Sequence, residues 1–221
     1  MKIAFCGDSF CADTGQGTWP YLVRKQTKSI LVCKGKQGAS EYSILNQAKK
    51  VIGISDLIIF THTDPYRLAN RHDEPLGARP CDQVFNRLIK SDSNLLKVKK
   101  NTKDNIWTAG HLYYEHLMEY GFHELSHIAL VKECNNLCKD KKVIHLFSFS
   151  TKELDFRDYN WDVRLENSYN KKSLARISYD YQTPDNDEQK WAPGDLGWVT
   201  LPNHMNYAGN KVVSEIVLGM L

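Results

Sequence analysis

Lys2-Ile3-Ala4-Phe5-Cys6-Gly7-Asp8-Ser9-Phe10 is the stretch whose reading decides the fold. Residues 3–6 are apolar without interruption, as in a strand buried on both faces, and they run straight into Gly-Asp-Ser. The glycine allows a sharp turn where the strand leaves the sheet, and the Ser9 hydroxyl then lies just beyond the sheet edge. Similar apolar runs recur at 30–33, 57–61 and 143–149, with helical patterns at 18–25 and 40–52 between them. In the second helix Ser40 stands as N-cap and Ile44, Ala48, Val51 and Ile52 share a stripe. Short apolar strands alternating with helices predict βαβ units and a parallel sheet, the α/β class.

The rest of the chain is read outward from that frame as a single domain over 1–221, the size of one full hydrophobic core. Residues 65–104, with Pro65, Pro75, Gly77 and Pro80, read as a long irregular excursion after the third strand, at the sheet edge where ligands of open α/β sheets bind. A helical insertion covers about 105–140, as two helices broken near Gly121. An irregular cap rich in Tyr and Trp covers about 151–200, and 206–221 forms a last amphipathic helix returning to the core.

Composition narrows the function. Hydrophobic residues make up 42% and charged residues 25%, so the chain is expected to be globular throughout. The net charge is +3, from 29 basic and 26 acidic side chains, which implies neither nucleic acid nor an anionic membrane as partner. The lysines of 97–103 read as a solvated loop. Six cysteines without framework spacing suggest a reducing compartment, and the chain reads as cytoplasmic, with no signal peptide and no membrane span. Nothing in the sequence sets the oligomeric state.

A serine at the end of a strand needs a base, and the other terminus carries Asn203-His204-Met205-Asn206-Tyr207-Ala208-Gly209 directly before the last helix. If the chain ends meet at one sheet edge, Ser9 and His204 form a nucleophile and base pair. Here the chain resembles the GDSL/SGNH hydrolases, in which Gly-Asp-Ser follows the first strand and His-x-Asn-x-x-Gly precedes the last helix. The resemblance implies a flavodoxin-like three-layer α/β/α sandwich with about four or five strands, and a serine ester hydrolase without cofactor. It further implies an oxyanion hole made by the backbone N–H groups of Ser9 and Gly38. The family's third donor is an asparagine, and Thr63 stands at its place. The family's aspartate, three residues before the histidine, is replaced by Leu201, which leaves a Ser-His dyad or an atypical triad using a distant carboxylate such as Asp195. A small-molecule or carbohydrate ester is the expected substrate, an O-acetylated sugar first, with Tyr66, Arg67 and the aromatics of 151–200 available to line a cleft.

Three other readings stand beside this one. Gly7-Asp8-Ser9 could be only a capped strand-to-helix turn, or the chain could be a member of the same fold that binds without hydrolysing. His123-Glu124-Leu125-Ser126-His127 matches His-Glu-x-x-His, which on a helix presents two imidazoles to a zinc ion with Glu124 as general base, with Glu133, Glu153 or His145 as third ligand. Against that reading, His123 and His127 are expected to lie on a helix surface with Glu124 solvated, because the βαβ order suits the serine site. Cys134 and Cys138 with His127 lack a fourth ligand at zinc-finger spacing.

Overall fold

The structure is a computed structural model that describes residues 1–70, 109–110, 112–149, 165–181 and 205–221. Four strands, β1 (Lys2–Gly7), β2 (Ile30–Cys33), β3 (Leu57–His62) and β4 (Lys142–Phe147), form one parallel sheet in the order β2-β1-β3-β4. The helices are α1 (Trp19–Thr27), α2 (Glu41–Val51), α3 (Tyr120–Leu137), α4 (Leu174–Asp180) and α5 (Tyr207–Gly219).

Alternation along the strands divides the core in two. Ile3, Phe5, Leu57, Ile59, Ile144 and Leu146 face Trp19 and Val23 of α1, Ile177 of α4, and Val213 and Val217 of α5. Ala4, Cys6, Ile58, Phe60 and Val143 face Ile44, Ala48 and Val51 of α2, and Cys134 of α3. Both faces of the sheet are therefore covered, giving the three-layer α/β/α sandwich, and the period of two explains why each strand reads as an unbroken apolar run. Ser40 caps α2 as expected, accepting a hydrogen bond from the Ser43 N–H at 3.3 Å.

The helical segment between β3 and β4 is a crossover rather than an insertion, because two parallel neighbours cannot be joined by a tight turn. Its break falls before Gly121: a π-helical turn, Tyr113–Leu117, precedes α3, and the Glu119 carboxylate caps α3 by accepting from the N–H groups of Gly121 and Phe122. Within the segment expected as an irregular cap, α4 buries Leu174, Ala175 and Ile177 in the first core cluster. Cys134 and Cys138 are buried as small hydrophobes. Among the described residues no helix is long and apolar enough to cross a membrane.

β2 leaves the ladder early. Its pairing with β1 shifts register between Ile3 and Ala4 and stops at Cys33, so the last residue of β1 needs other partners. Gln47 of α2 supplies them, accepting from the Gly7 N–H at 2.8 Å and donating to the Gly7 carbonyl at 3.1 Å. Lys36 N–H also donates to that carbonyl, at 2.9 Å. These bonds fasten the loop after β2 to the turn that carries Ser9.

Candidate active site

β1 ends at a turn that only glycine permits. A Cβ on Gly7 would lie 2.7 Å from the Cys11 sulfur and 2.8 Å from the Thr61 carbonyl oxygen, and one on Gly35 would lie 2.7 Å from the Asp8 carbonyl oxygen. Past Gly7 the chain enters a short 3-10 turn, Ser9–Cys11, whose N-cap is Asp8: its carboxylate accepts from the Phe10 N–H at 3.1 Å. Ser9 is 8% exposed, and among the described residues its hydroxyl has no hydrogen-bond partner. A nearly buried hydroxyl without a partner has been desolvated at a cost, which is unusual unless something outside those residues engages it.

Asp8 is the hub of the site. It is fully buried, and besides the Phe10 amide it accepts from Ser148 Oγ at 2.9 Å and Thr63 Oγ1 at 3.1 Å, with the Arg67 guanidinium 3.9 Å away. The ends of β1, β3 and β4 are thereby tied through one carboxylate. Burial pushes the Asp8 pKa up, while Arg67 and the donated hydrogen bonds pull it back down. An amide at this position cannot accept on its nitrogen from Thr63 or Ser148, so Asp8→Asn is expected to cost about 2 kcal/mol, the scale of hydrogen bonds to a charged group. Urea denaturation at neutral pH measures it.

Gly38 lies at the same edge, two residues beyond Lys36, in a turn closed by the Ala39 N–H to Lys36 carbonyl bond at 3.1 Å. Its φ of +69° is left-handed, which favours glycine. Among the described residues neither the Gly38 nor the Ser9 amide donates to an acceptor. Thr63 is placed differently from the expectation. Its hydroxyl donates to Asp8 and its N–H donates to Glu41 Oε2 at 3.2 Å, so it has no hydrogen left to offer an oxyanion. Thr63 instead braces the serine turn through Asp8.

His204, Asp195 and Leu201 lie outside the described residues. The chain that follows His204 does reach the Ser9 turn. Asn210, in the first turn of α5, accepts from the Trp19 N–H at 2.8 Å and donates to the Met205 carbonyl at 2.9 Å, while the Trp19 indole donates to the Phe10 carbonyl at 2.7 Å. Met205 packs against the core cluster that contains Phe10.

A second polar cluster sits directly beneath Thr63, and sequence reading missed it. Glu41, the first residue of α2, lies 2.7 Å from His62 Nδ1; His62 Nε2 lies 2.9 Å from His145 Nδ1; His145 Nε2 lies 3.2 Å from Asn135 Oδ1. The rings of Phe60, His62 and His145 stack with centroids 5.2 to 5.3 Å apart. All three titratable groups are buried, and burial sets their charge: the Glu41 pKa rises to about 7, and those of His62 and His145 fall to about 3 and about 2. The histidines are therefore neutral, and the Glu41 contact is a hydrogen bond rather than an ion pair. Asn135 presents its carbonyl oxygen, which can only accept. Each ring then donates toward Asn135, and Glu41 holds the proton it donates to His62. The sequence signal was available: a histidine in the middle of an apolar strand, as in Val143-Ile144-His145-Leu146, must find a buried partner.

The His-Glu-x-x-His segment belongs to this cluster, not to the surface where it was expected. His123 and His127 are 7% and 2% exposed. The Pro65 carbonyl, 3.2 Å from His123 Nδ1, can only accept, so that nitrogen carries the proton and Nε2 accepts from the Tyr113 hydroxyl at 2.7 Å. Glu124 is half-buried, not solvated, and accepts from the Tyr66 hydroxyl at 2.7 Å; His127 Nδ1 lies 3.7 Å from Glu41. His145, one of the third ligands considered, is taken by His62 and Asn135, and Glu153 lies outside the described residues. Among the described residues no three His, Cys, Asp or Glu side chains are grouped to hold a metal ion.

No family model matches the chain, and no curated protein matches it. Among solved structures it is similar to an acetyl xylan esterase, AlAXEase, at 13% identity and a TM-score of 0.34, over 66% of this chain and 57% of that one, so the match spans less than two thirds of the esterase. It is also similar, at 12% identity and a TM-score of 0.34, to a protein of Desulfitobacterium hafniense DCB-2 assigned to the lipolytic G-D-S-L family, over 100% of this chain and 99% of that one. A third similar structure, from Bacteroides fragilis NCTC 9343 and assigned as an acylhydrolase, has 16% identity and a TM-score of 0.29, over 66% of this chain and 68% of that one. These TM-scores are too low to locate a site.

Proposed function

We propose that the chain is a serine ester hydrolase of the SGNH type, with Ser9 as nucleophile and His204 as base, acting on a small acyl ester of a carbohydrate. The observation that supports this most is the Asn210, Trp19 and Phe10 chain of hydrogen bonds, which ties the residues just after His204 to the residue just after Ser9. A capped turn with no chemistry would not need a desolvated hydroxyl without a partner among the described residues.

In this reading Ser9 Oγ attacks the acyl carbonyl carbon as His204 takes its proton, and His204 then protonates the departing alcohol oxygen. Water attacks the acyl-enzyme with the same histidine as base, releasing the acid and restoring Ser9. The amides of Ser9 and Gly38 hold the oxyanion, a two-donor hole in place of three, and Thr63 acts through Asp8 by keeping the turn in place. Asp195 or a backbone carbonyl orients His204.

Reaction with a fluorophosphonate, followed by peptide mass mapping, tests the assignment. The expected result is a single adduct on the peptide containing Ser9, unaffected by a metal chelator. A folded protein that stays unlabelled would be a binding protein of this fold. Ester hydrolysis that is lost to the chelator and survives Ser9→Ala would move the chemistry to His123 and His127.

A further inference from the structure

Glu41, the first residue of α2, is 3% exposed. An acid in the first turn of a helix is ordinarily left in water, where the helix dipole favours its charge. Here burial raises the pKa to about 7, so the side chain costs the fold stability at neutral pH. What the carboxyl contributes is directional. One oxygen lies 2.7 Å from His62 Nδ1, and the other accepts from the Thr63 N–H at 3.2 Å. Both neighbours stand at the end of β3, beside the serine turn.

Those bonds fix the start of α2, and Gly38 stands just before it. The loop carrying Gly38 is held on both sides: Lys36 donates its N–H to the Gly7 carbonyl at 2.9 Å, and Glu41 holds His62 and Thr63. Farther along the same helix, Gln47 binds both polar groups of Gly7. One helix is thus tied to the end of β1 through Gln47 and to the end of β3 through Glu41. Glu41 also reaches the far side of the serine turn, because Thr63 Oγ1 donates to Asp8 and Asp8 accepts from the Phe10 N–H. The apolar contacts of Ala39, Ile44 and Ala48 press α2 onto the sheet, but burial of apolar surface sets no direction; hydrogen bonds do.

We propose that Glu41 is a positioning residue of the serine site, which by holding His62 and Thr63 sets the place of the Gly38 amide relative to Ser9; its effect on turnover rests on the esterase reading above. Its two oxygens are taken by those neighbours, so it acts through them and not on a substrate. An oxyanion donor contributes only at hydrogen-bond distance from the developing charge, and a small displacement of Gly38 removes much of that contribution. The loss falls on kcat, because the donor acts on the transition state more than on the bound ester. A buried acid kept at a cost to stability is the kind of local conflict that a functional site explains.

Glu41→Asp and Glu41→Gln, assayed at pH 6 on a short acyl ester, test the proposal. Aspartate keeps an acid in the core but is one methylene too short to hold both neighbours from the same backbone. The Gln amide donates to His62 and accepts from the Thr63 N–H, as the protonated acid does. Glu41→Asp is expected to lower kcat by about tenfold or more with KM changed by less than about twofold, and Glu41→Gln to keep kcat within about threefold of the wild type. In amide 15N spectra the Gly38 and Ser9 resonances are expected to move in the Asp variant and to return in the Gln variant. A lower urea midpoint for Glu41→Asp with kcat and the Gly38 amide unchanged would make Glu41 purely structural and overturn the proposal. So would a loss confined to KM, or a Gln variant as impaired as the Asp variant. Fluorophosphonate labelling of the wild type separates the two readings. Labelled Ser9 with an unmoved Gly38 amide in Glu41→Asp sinks the role of Glu41 alone; a displaced Gly38 amide without wild-type labelling sinks the esterase and leaves Glu41 as the anchor of the Gly38 turn.

Discussion

Ser9→Ala is expected to lower kcat/KM for a short acyl ester by at least about 10³-fold while changing stability by no more than about 0.5 kcal/mol. The activity side follows from covalent catalysis: without Oγ no acyl-enzyme forms, and only the oxyanion donors and binding contacts remain to act on water. Stability should move little because the hydroxyl makes no hydrogen bond among the described residues, so its removal strands no partner. The turn itself is held by Asp8, Gly7 and the β2 loop, none of which the substitution touches. Comparing hydrolysis rates with urea midpoints for the two proteins reads both quantities. A stability loss of several kcal/mol with the activity loss would make Ser9 a structural residue of the turn. Full activity in the variant would remove it from the chemistry.

Much of the scaffold was legible because it obeys simple periods. The first two strands and α2 stand where apolar runs and the Ser40 cap place them. β3 runs one residue past its apolar stretch because His62 continues the ladder opposite Phe147 while its ring turns to Glu41. β4 ends at Phe147, and Ser148 closes the ladder with its N–H on the His62 carbonyl while its hydroxyl donates to Asp8. The first half of α3 was misread for a physical reason: its inner face packs on a polar cluster, so His123 and His127 are inside while Phe122 and Leu125 are 63% and 68% exposed. A reading that places apolar residues inward inverts such a helix. Thr63 was equally opaque, since matching by position gives no hint that Asp8 and Glu41 claim both of its hydrogens.

Acidification is expected to destabilise the protein by about 3 kcal/mol between pH 6.5 and pH 5, from the buried cluster alone. His62, His127 and His145 have folded pKa values lowered to about 3, 4 and 2, against 6.5 when unfolded. In that window the three imidazoles of the unfolded chain go from half to almost fully protonated while those of the fold stay neutral, and stability falls with pH. Glu41 works in the opposite direction: its pKa is raised from 4.5 to about 7, so the fold takes up a proton there that the unfolded chain does not. The balance averages about one and a half protons in favour of the unfolded state, about 1.4 kcal/mol each per pH unit. Glu41→Gln sharpens the test. Its amide can donate to His62 and accept from the Thr63 N–H as the protonated acid does, but it takes up no proton. The variant should therefore gain on the wild type as pH rises from 5 through 7, where the folded wild type keeps on Glu41 a proton that the unfolded chain gives up, and lose on it as pH falls. Urea denaturation at pH 5, 6, 7 and 8 resolves the crossing. A wild-type stability that is flat across this range would mean that the three imidazoles are not held neutral by burial, and the charge assignment of the cluster would fall with it.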